Sequence, residues 1–413
     1  MSKRKLLVID NSQLFYHTRE QLSAGKETFE VNDELTWPSS ALISSKGYHL
    51  GQLQISPDVS SVDLSVLNQN QLEMWQQSML GYVSQMNDLT ADVFDILTIE
   101  WLKNASTPTD TVEIDVDDIL RYRGIVPALS GQKRLGGYRP QQREAIAKQI
   151  QILDHVWIEA EREIPLDDNG IKRKKQKLKS RAVHLHLEYR EQDEKGNTEL
   201  LMIRARPGDI FSHTLFTNGR QTALLSKKAL EYDVDKFAYE KRLTRYLSYL
   251  WRNRQKNGTY TDSIEIKKLL DAIRLRLNKK RPGRTLERLE KALNRLQEDK
   301  VIESWQYCEA DLELIGKRGW GKKMLNWKIE IEPPEIIVEH YTNKIQNPTD
   351  HQHEPSTENF AKTIKETRKE RSLNLSQAAE QMGINVGTLS RIENKKTTPR
   401  GSTKQKINQW LKS

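Results

Sequence analysis

Residues 375–394 constrain the fold of this 413-residue chain more than any other segment of its sequence. Within them, the small residue Ala379 precedes Gly383 by four positions. A helix-turn-helix needs this spacing, because a small residue lets two helices touch and a glycine accepts the positive φ of the turn. Asn374 and Asn385 stand where their side chains can cap the first and second helices. The spacing therefore predicts two short packed helices, with apolar contacts from Ala378, Met382, Ile384, Leu389 and Ile392.

The same stretch resembles the Cro/repressor (Xre) family of helix-turn-helix proteins over residues 373–394, LNLSQAAEQMGINVGTLSRIEN. The resemblance implies a small all-α domain, residues 359–413, that binds double-stranded DNA in a sequence-specific manner. It also implies that the second helix reads base edges while neighbouring side chains contact phosphates. The base-facing positions are Val386, Gly387, Thr388 and Arg391, and the phosphate-contacting positions are Ser390, Lys395 and Lys396.

Two positions depart from the usual sequence of that family. Leu375 stands where many members carry a phosphate-binding glutamine, and Val386 with Gly387 replaces a polar pair. Base recognition is therefore expected to depend mainly on Thr388 and Arg391. An arginine can donate two hydrogen bonds to O6 and N7 of one guanine. A helical bundle that binds protein in place of DNA is the alternative interpretation of this segment.

The distribution of charge agrees with an anionic partner. The formal net charge is +9, and residues 359–413 hold twelve Lys or Arg against four Glu, a net of +8. Such a local concentration of cations is typical of a module that binds the phosphates of nucleic acid. We therefore expect double-stranded DNA to be the main partner of the C-terminal segment.

The middle of the chain predicts a duplicated domain. Residues 81–205 and 206–335 both show a helix, a short strand with a short helix, a long helix and then a hairpin. An order of elements that occurs twice indicates two domains of one fold, and three helices closed by a hairpin is the layout of a winged helix. The expected fold class is thus α+β and mostly helical, with two winged-helix domains in tandem followed by a small all-α helix-turn-helix domain.

This tandem arrangement is similar to that of plasmid replication initiators. The resemblance implies a protein that binds and distorts an origin and recruits host replication proteins, with no chemistry of its own. We expect a replication initiator or regulator of a plasmid or other mobile element, and a homodimer is a further expectation. A transcription regulator without a replication role is the alternative.

A second basic surface is predicted in the second copy. In the helix expected over residues 284–299, four leucines fall on one side and four cations on the other. The tip of the following hairpin, residues 316–323, adds four more cations. Because helix and tip are adjacent in a winged fold, we predict that they contact DNA together, although a solvated charged face would give the same pattern. The residues concerned are Arg284, Arg288, Lys291, Arg295, Lys317, Arg318, Lys322 and Lys323.

The remaining segments predict less. Residues 1–80 are rich in Ser, Gln, Asn and Asp and are expected to be poorly structured. Residues 336–358 are expected to form a flexible linker. The basic run at residues 172–179 is expected to be either a loose tether to phosphates or a specific reader of DNA, and nonspecific contact is expected there.

No enzymatic activity and no cofactor are expected. The pair His184 and His186 on a predicted strand suggests the one enzymatic alternative, a metal-dependent rolling-circle nicking endonuclease with Tyr246 or Tyr249 as nucleophile. The sequence contains no GxxxxGK[ST] phosphate-binding loop, so no ATPase is predicted. With one cysteine and no apolar run of roughly 20 residues, the chain is expected to be cytoplasmic and to have no contact with membranes.

Overall fold

The computed structural model describes residues 6–31, 37–44, 46–58, 68–128, 137–165, 173–191, 198–216, 221–346, 364–365, 367–371, 373–394, 403, 407 and 410–411. The chain divides into two compact units, residues 1–339 and 340–413. The first unit combines helices with antiparallel sheets, and the described elements of the second are helices. The predicted α+β class is confirmed.

Much of the N-terminal region is ordered, in contrast to the expectation for residues 1–80. It forms β1 (Leu6–Asp10), α1 (Gln13–Ala24), β2 (Ser39–Ile43), β3 (His49–Ile55) and α2 (Gln69–Gln85). Phe15, Leu22 and Leu53 are fully buried in the main core of the first unit. The polar composition of residues 1–80 does not predict these elements, because their partners are distant in sequence. β1 pairs with β9 (Thr222–Ser226), and β3 pairs with β5 (Val156–Pro165).

The first repeat has the predicted order of elements. It comprises α3 (Asp88–Asn104), β4 (Val112–Ile114), α4 (Val116–Tyr122), α5 (Pro140–Asp154), β7 (Val183–Glu191) and β8 (Thr198–Pro207), and its sheet has the order β4-β8-β7. Asp115 caps α4 by accepting a hydrogen bond from the Asp118 main chain. The division of the chain at residues 205 and 206 stays a prediction.

A hairpin that the sequence did not predict is inserted between α5 and β7. It consists of β5 and β6 (Arg173–Arg181), and it completes a four-stranded sheet of order β2-β3-β5-β6. The basic run at residues 172–179 therefore lies largely in a strand and does not form a loose tether. Charge alternation favours the pairing, because Glu159 and Glu161 lie opposite Lys179 and Lys177 across the two strands and Lys177 Nζ lies 3.6 Å from a carboxylate oxygen of Glu159.

The second repeat follows α6 (Asp209–Phe216), β9 and α7 (Lys228–Glu231). It comprises α8 (Ala238–Arg254), β10 (Ile264–Glu265), α9 (Ile266–Ala272), α10 (Pro282–Glu298), β11 (Ser304–Glu309), α11 (Trp320–Met324) and β12 (Lys328–Glu332). Its sheet order, β10-β12-β11, is equivalent to that of the first repeat, and α3 and α8 each contain 17 residues.

The expected linker begins as a helix. Residues 336–346 belong to α12 (Glu335–Gln346), where Ile337 and Tyr341 are buried. The pattern of apolar residues in EIIVEHY, placed after Pro333 and Pro334, favours a helix that starts at the proline pair. Residues 347–358 of the expected linker lie outside the described residues.

Buried ion pairs connect the two repeats. Asp88, Asp92 and Asp95 share a face of α3 and are buried. From α8, Lys241 Nζ lies 2.8 and 2.9 Å from the two carboxylate oxygens of Asp92, and Arg245 Nε lies 2.9 Å from Asp95 Oδ2. Burial lowers the pKa of Lys241 to about 8, although the charge of Asp92 opposes that shift. Buried side-chain ion pairs thus join α3 to α8.

The second unit contains α13 (Leu375–Met382) and α14 (Val386–Glu393). Its small core is formed by Ile364, Ala378, Ala379, Met382, Leu389, Ile392, Ile407 and Trp410. Residues from before and after the two helices thus complete the core that α13 and α14 share.

Candidate nucleic-acid interface

The turn between α13 and α14 has the geometry that the sequence predicts. Asn374 Oδ1 accepts a hydrogen bond of 2.9 Å from the Gln377 main chain, and Gln377 Oε1 accepts one of 2.9 Å from the Asn374 main chain. Gly383 has φ of +62°, in the left-handed region that favours glycine. Asn385 caps α14 by accepting a hydrogen bond of 2.8 Å from Gly387. The caps and the turn therefore set the angle between the two helices.

A buried ion pair holds the far end of α14. Arg368 donates to both carboxylate oxygens of Glu393, at 2.7 and 2.9 Å, and to the Leu373 carbonyl at 2.9 Å. Since Glu393 is largely buried, this bidentate pair limits rotation of α14. Sequence reasoning missed both residues, because their pairing joins positions 25 apart in the chain and no local pattern marks it.

The exposed side of α14 carries the predicted base-facing residues. Leu389 and Ile392 face the core, whereas Val386, Gly387 and Arg391 are exposed and Thr388 and Ser390 are half-buried. Arg391 forms no ion pair within the described part of the chain. Its guanidinium is therefore available to a ligand. Lys395 and Lys396, predicted to contact phosphate, lie outside the described residues.

The cationic side of α10 is also exposed. Leu286, Leu289, Leu293 and Leu296 are buried, and the opposite side of the helix carries Arg284, Arg288 and Lys291. None of these three cations lies within ion-pair distance of a described carboxylate. Arg295 differs, because its guanidinium lies 3.0 Å from Asp299 and 3.5 Å from Glu298, both within the same helical region. Three of the four predicted cations on α10 thus remain unpaired.

The turn before α10 adds cations that sequence reasoning did not assign. Asn278 Oδ1 accepts hydrogen bonds from the main chains of Lys280 and Arg281, and Thr285 Oγ1 accepts one from Asn278, all at 3.0 to 3.1 Å. The run Asn278-Lys-Lys-Arg-Pro282 was a signal for this turn, since asparagine caps turns and proline starts helices. It places four exposed cations before the helix: Arg276, Lys279, Lys280 and Arg281.

Residues 316–323 do not form the expected hairpin tip. Their second half belongs to α11, which Met324 anchors in the core and where the ring centroids of Trp320 and Trp327 lie 6.2 Å apart. A Cβ at Gly321 would lie 2.6 Å from the Cβ of Pro282, so α11 lies directly against the first turn of α10. Lys322 and Lys323 are exposed on this helix, and Lys317 and Arg318 are exposed on the loop before it.

Together these residues form one surface, which we call the basic α10 surface. It consists of the cations of the preceding turn, the three unpaired cations of α10 and the two lysines of α11. This arrangement agrees with the prediction that residues 316–323 lie beside the helix of residues 284–299, although the second half of residues 316–323 is helical and not a hairpin tip. The members are Arg276, Lys279, Lys280, Arg281, Arg284, Arg288, Lys291, Lys322 and Lys323.

The equivalent helix of the first repeat is electrostatically different. On α5, Arg143 donates to both carboxylate oxygens of Asp117, at 2.7 and 2.6 Å, and Lys148 lies 2.9 Å from Glu144. Neighbouring carboxylates thus neutralise these cations. Among the described residues, α5 therefore lacks the unpaired cations that α10 presents.

The histidine pair lies in a positively charged environment. His184 Nε2 lies 3.3 Å from Asp209 Oδ2, and the register places Arg206 opposite His184 and Arg204 opposite His186. Burial lowers the pKa of His184, and Arg206 lowers it further. The described residues contain no group of three or more His, Cys, Asp or Glu side chains arranged to hold a metal ion.

The tyrosines considered as nucleophiles belong to a packed aromatic cluster. The rings of Tyr249 and Tyr16 stack with centroids 4.0 Å apart. Burial raises the pKa of Tyr246 and of Tyr249, which disfavours a phenolate on either.

Comparisons with known proteins agree with the interpretation of the second unit. A comparison with curated proteins returns no match. The chain is similar to a solved structure described as a crystal structure of SeMet derivatives of domain 2 and domain 3 of RctB, at 13% identity and a TM-score of 0.43, over 78% of this chain and 98% of that one; a likeness of this degree carries no further conclusion. None of the described helices has the length and apolar character needed to cross a membrane. Residues 364–409 match the model of the Helix-turn-helix family, which supports binding of double-stranded DNA by this segment.

Proposed function

We propose that the protein binds specific double-stranded DNA and contacts it through two surfaces. The first is the exposed side of α14, which enters the major groove and reads bases with Thr388 and Arg391. The second is the basic α10 surface, which binds phosphates. The observation that carries the proposal is a capped, correctly turned helix-turn-helix whose second helix leaves Arg391 exposed, with no ion-pair partner among the residues that the structure describes.

Both repeats of the first unit fit the winged-helix fold. Each has three helices and a hairpin, and in each the strand that precedes the second helix pairs with the last strand of the hairpin. In a winged helix, the third helix and the adjacent hairpin segment are the parts placed to meet DNA. The basic α10 surface occupies that position in the second repeat, whereas Arg143 and Lys148 on the equivalent helix α5 are paired with carboxylates.

We propose further that the protein initiates or regulates replication of a plasmid or other mobile element. Tandem winged helices in a rigid pair, followed by a separate DNA-reading unit, suit recognition of an origin with more than one element. A transformation assay with the gene and its flanking DNA tests this role. Failure to sustain a plasmid would favour the alternative, a transcription regulator without a replication role.

We also propose that the protein acts by binding DNA and does not catalyse a reaction on it. In support of it, His184 Nε2 lies 3.3 Å from Asp209, which also pairs with Arg206, and the ring of Tyr249 stacks on that of Tyr16. Incubation with supercoiled DNA and Mg²⁺ tests this point. Relaxed DNA carrying covalently attached protein would contradict it and would favour the nicking endonuclease.

Base reading is tested by the substitution Arg391→Ala. Because a bidentate contact with guanine contributes roughly 1 to 3 kcal/mol of discrimination, the variant should lose preference at one base pair and keep most of its affinity for random DNA. Selection of bound sequences from a random pool, followed by fluorescence anisotropy, measures both quantities. Lys369→Ala, an exposed cation outside α14, is the matched control. An equal loss on all sequences would show that Arg391 contacts only phosphate.

A further inference from the structure

The two edges of the four-stranded sheet differ sharply in charge. The edge strand β6 has the sequence RKKQKLKSR, in which six of nine residues are cations. Lysines on an edge strand prevent it from pairing with another strand. The opposite edge strand, β2, has the sequence SSALI and no charged residue. One edge of this sheet is therefore protected against association, and the other lacks that protection.

Hydrogen bonding defines which main-chain groups of β2 point outward. Ser39 exchanges two hydrogen bonds, of 2.8 and 3.0 Å, with Glu30, which lies on the side away from β3. Main-chain groups along a strand alternate in direction, so Ala41 directs its N–H and C=O groups to the same outer side. The register of β2 against β3 shifts between Leu42 and Ile43, but Ser44 donates its main-chain N–H inward to Tyr48 at 2.8 Å, so Ile43 also directs its main-chain groups outward. These groups meet no hydrogen-bonding partner among the described residues.

The side chains at these positions complete an apolar edge. Leu42, between them, is fully buried on the inner face of the sheet, whereas Ile43 is 49% exposed. An exposed isoleucine on an uncharged edge strand is a combination that natural edge strands usually avoid.

We propose that β2 pairs antiparallel with β2 of a second copy of this chain, so that one sheet runs through both copies. With Leu42 on the two-fold axis, Ala41 of each copy lies opposite Ile43 of the other. This register forms four N–H···O=C bonds and leaves the Ser39–Glu30 bonds intact. The inference goes beyond DNA binding, because the edge lies in a sheet that carries none of the residues through which the proposed function contacts DNA.

A second copy fits this edge better than other pairings of the same sheet. Joining β6 to β6 would place rows of lysines side by side. Joining β2 to β6 would leave one edge of each copy free, so that association would continue without closure. Pairing of β2 with β2 buries the outer side of Ala41 to Ile43 in both copies, exposes the lysine-rich edges and stops at two copies.

The test is the association state of the full chain and of two edge variants, measured by sedimentation equilibrium. Ala41→Pro removes an outward N–H from each copy but no bond between β2 and β3, so the monomer should fold. Two of the four bonds are lost, each worth about a factor of five, and dimerisation should weaken by about twenty-five-fold. Ile43→Lys, which adds like charges to the edge, should also weaken it.

Val126→Lys is the matched control, since Val126 is an equally exposed apolar residue outside any strand, and it should associate like wild type. The proposal is overturned if the wild-type chain stays monomeric up to its solubility limit, or if both edge variants dimerise as wild type does. If circular dichroism shows that Ala41→Pro is unfolded, the result with Ile43→Lys decides. DNA binding by the monomeric variants, measured separately, reports on the proposed function and not on this edge.

Discussion

The ion pairs between α3 and α8 predict a large and specific loss of stability on substitution of Arg245. This side chain is 1% exposed, and it donates to Asp92 at 2.7 Å and to Asp95 at 2.9 Å. In the Arg245→Met variant, Asp92 still forms an ion pair with Lys241. Asp95 retains only a more distant described cation, Arg19, whose Nη1 lies 3.6 Å from its carboxylate. A carboxylate left buried without a close partner costs about 3 to 5 kcal/mol. Because one of the two carboxylates stays paired, we expect a loss of about 3 kcal/mol.

Urea denaturation, followed by circular dichroism, measures this loss in the first unit. The control is Arg288→Met, which removes an equally long cation from the exposed side of α10 and should change the free energy of unfolding by no more than about 0.5 kcal/mol. A double substitution, Arg245→Met with Asp95→Leu, should recover part of the loss, because no unpaired carboxylate then remains at position 95. A loss below about 1 kcal/mol for Arg245→Met, or a double variant less stable than the single one, would refute the reasoning.

Two further predictions concern titration and backbone conformation. Burial raises the pKa of Asp10 from 3.8 to about 7, so the folded state binds the Asp10 proton more tightly than the unfolded state does. The stabilisation that this proton provides is therefore lost as pH rises from 3.8 to about 7. Asp10→Asn should therefore gain stability over wild type between these pH values and keep that gain above them; a pH-independent difference in urea midpoints would contradict this. Gly383→Val places a β-branched residue at φ of +62° and should destabilise the second unit by roughly 1 to 2 kcal/mol. The control is Gly47→Val, at an exposed turn of the first unit that also has positive φ, which should leave the stability of the second unit unchanged. Differential scanning calorimetry of the full chain measures the effect on the transition of the second unit, and an unchanged midpoint would show that the turn can relax.

Local patterns predicted local structure well. Residues within one or two helical turns of each other were enough to predict the caps at Asn374 and Asn385, the turn at Gly383 and the buried face of α13 and α14. The order of elements in both repeats was readable for the same reason, since each helix carries its own apolar side.

The features that escaped prediction depend on partners distant in sequence. The polar segment around β1 to β3 becomes part of the core only when β9 and β5 pair with it. The basic strand β6 is a strand because β5 supplies glutamates in register. The helical form of α11 depends on Pro282 and Trp327, and the network around Asp92 requires α3 and α8 to meet.

The central claim is that the basic α10 surface contacts DNA phosphates, and the salt dependence of affinity tests it most directly. Each phosphate contact contributes about 0.9 to the slope of log affinity against log salt concentration. In the full chain, replacing Arg284, Arg288 and Lys291 together by Gln should lower the magnitude of that slope by about 2 to 3 on random-sequence duplex. Replacing three exposed lysines elsewhere, Lys26, Lys46 and Lys148, should leave it unchanged. An unaltered slope in the α10 variant would show that this surface faces only water.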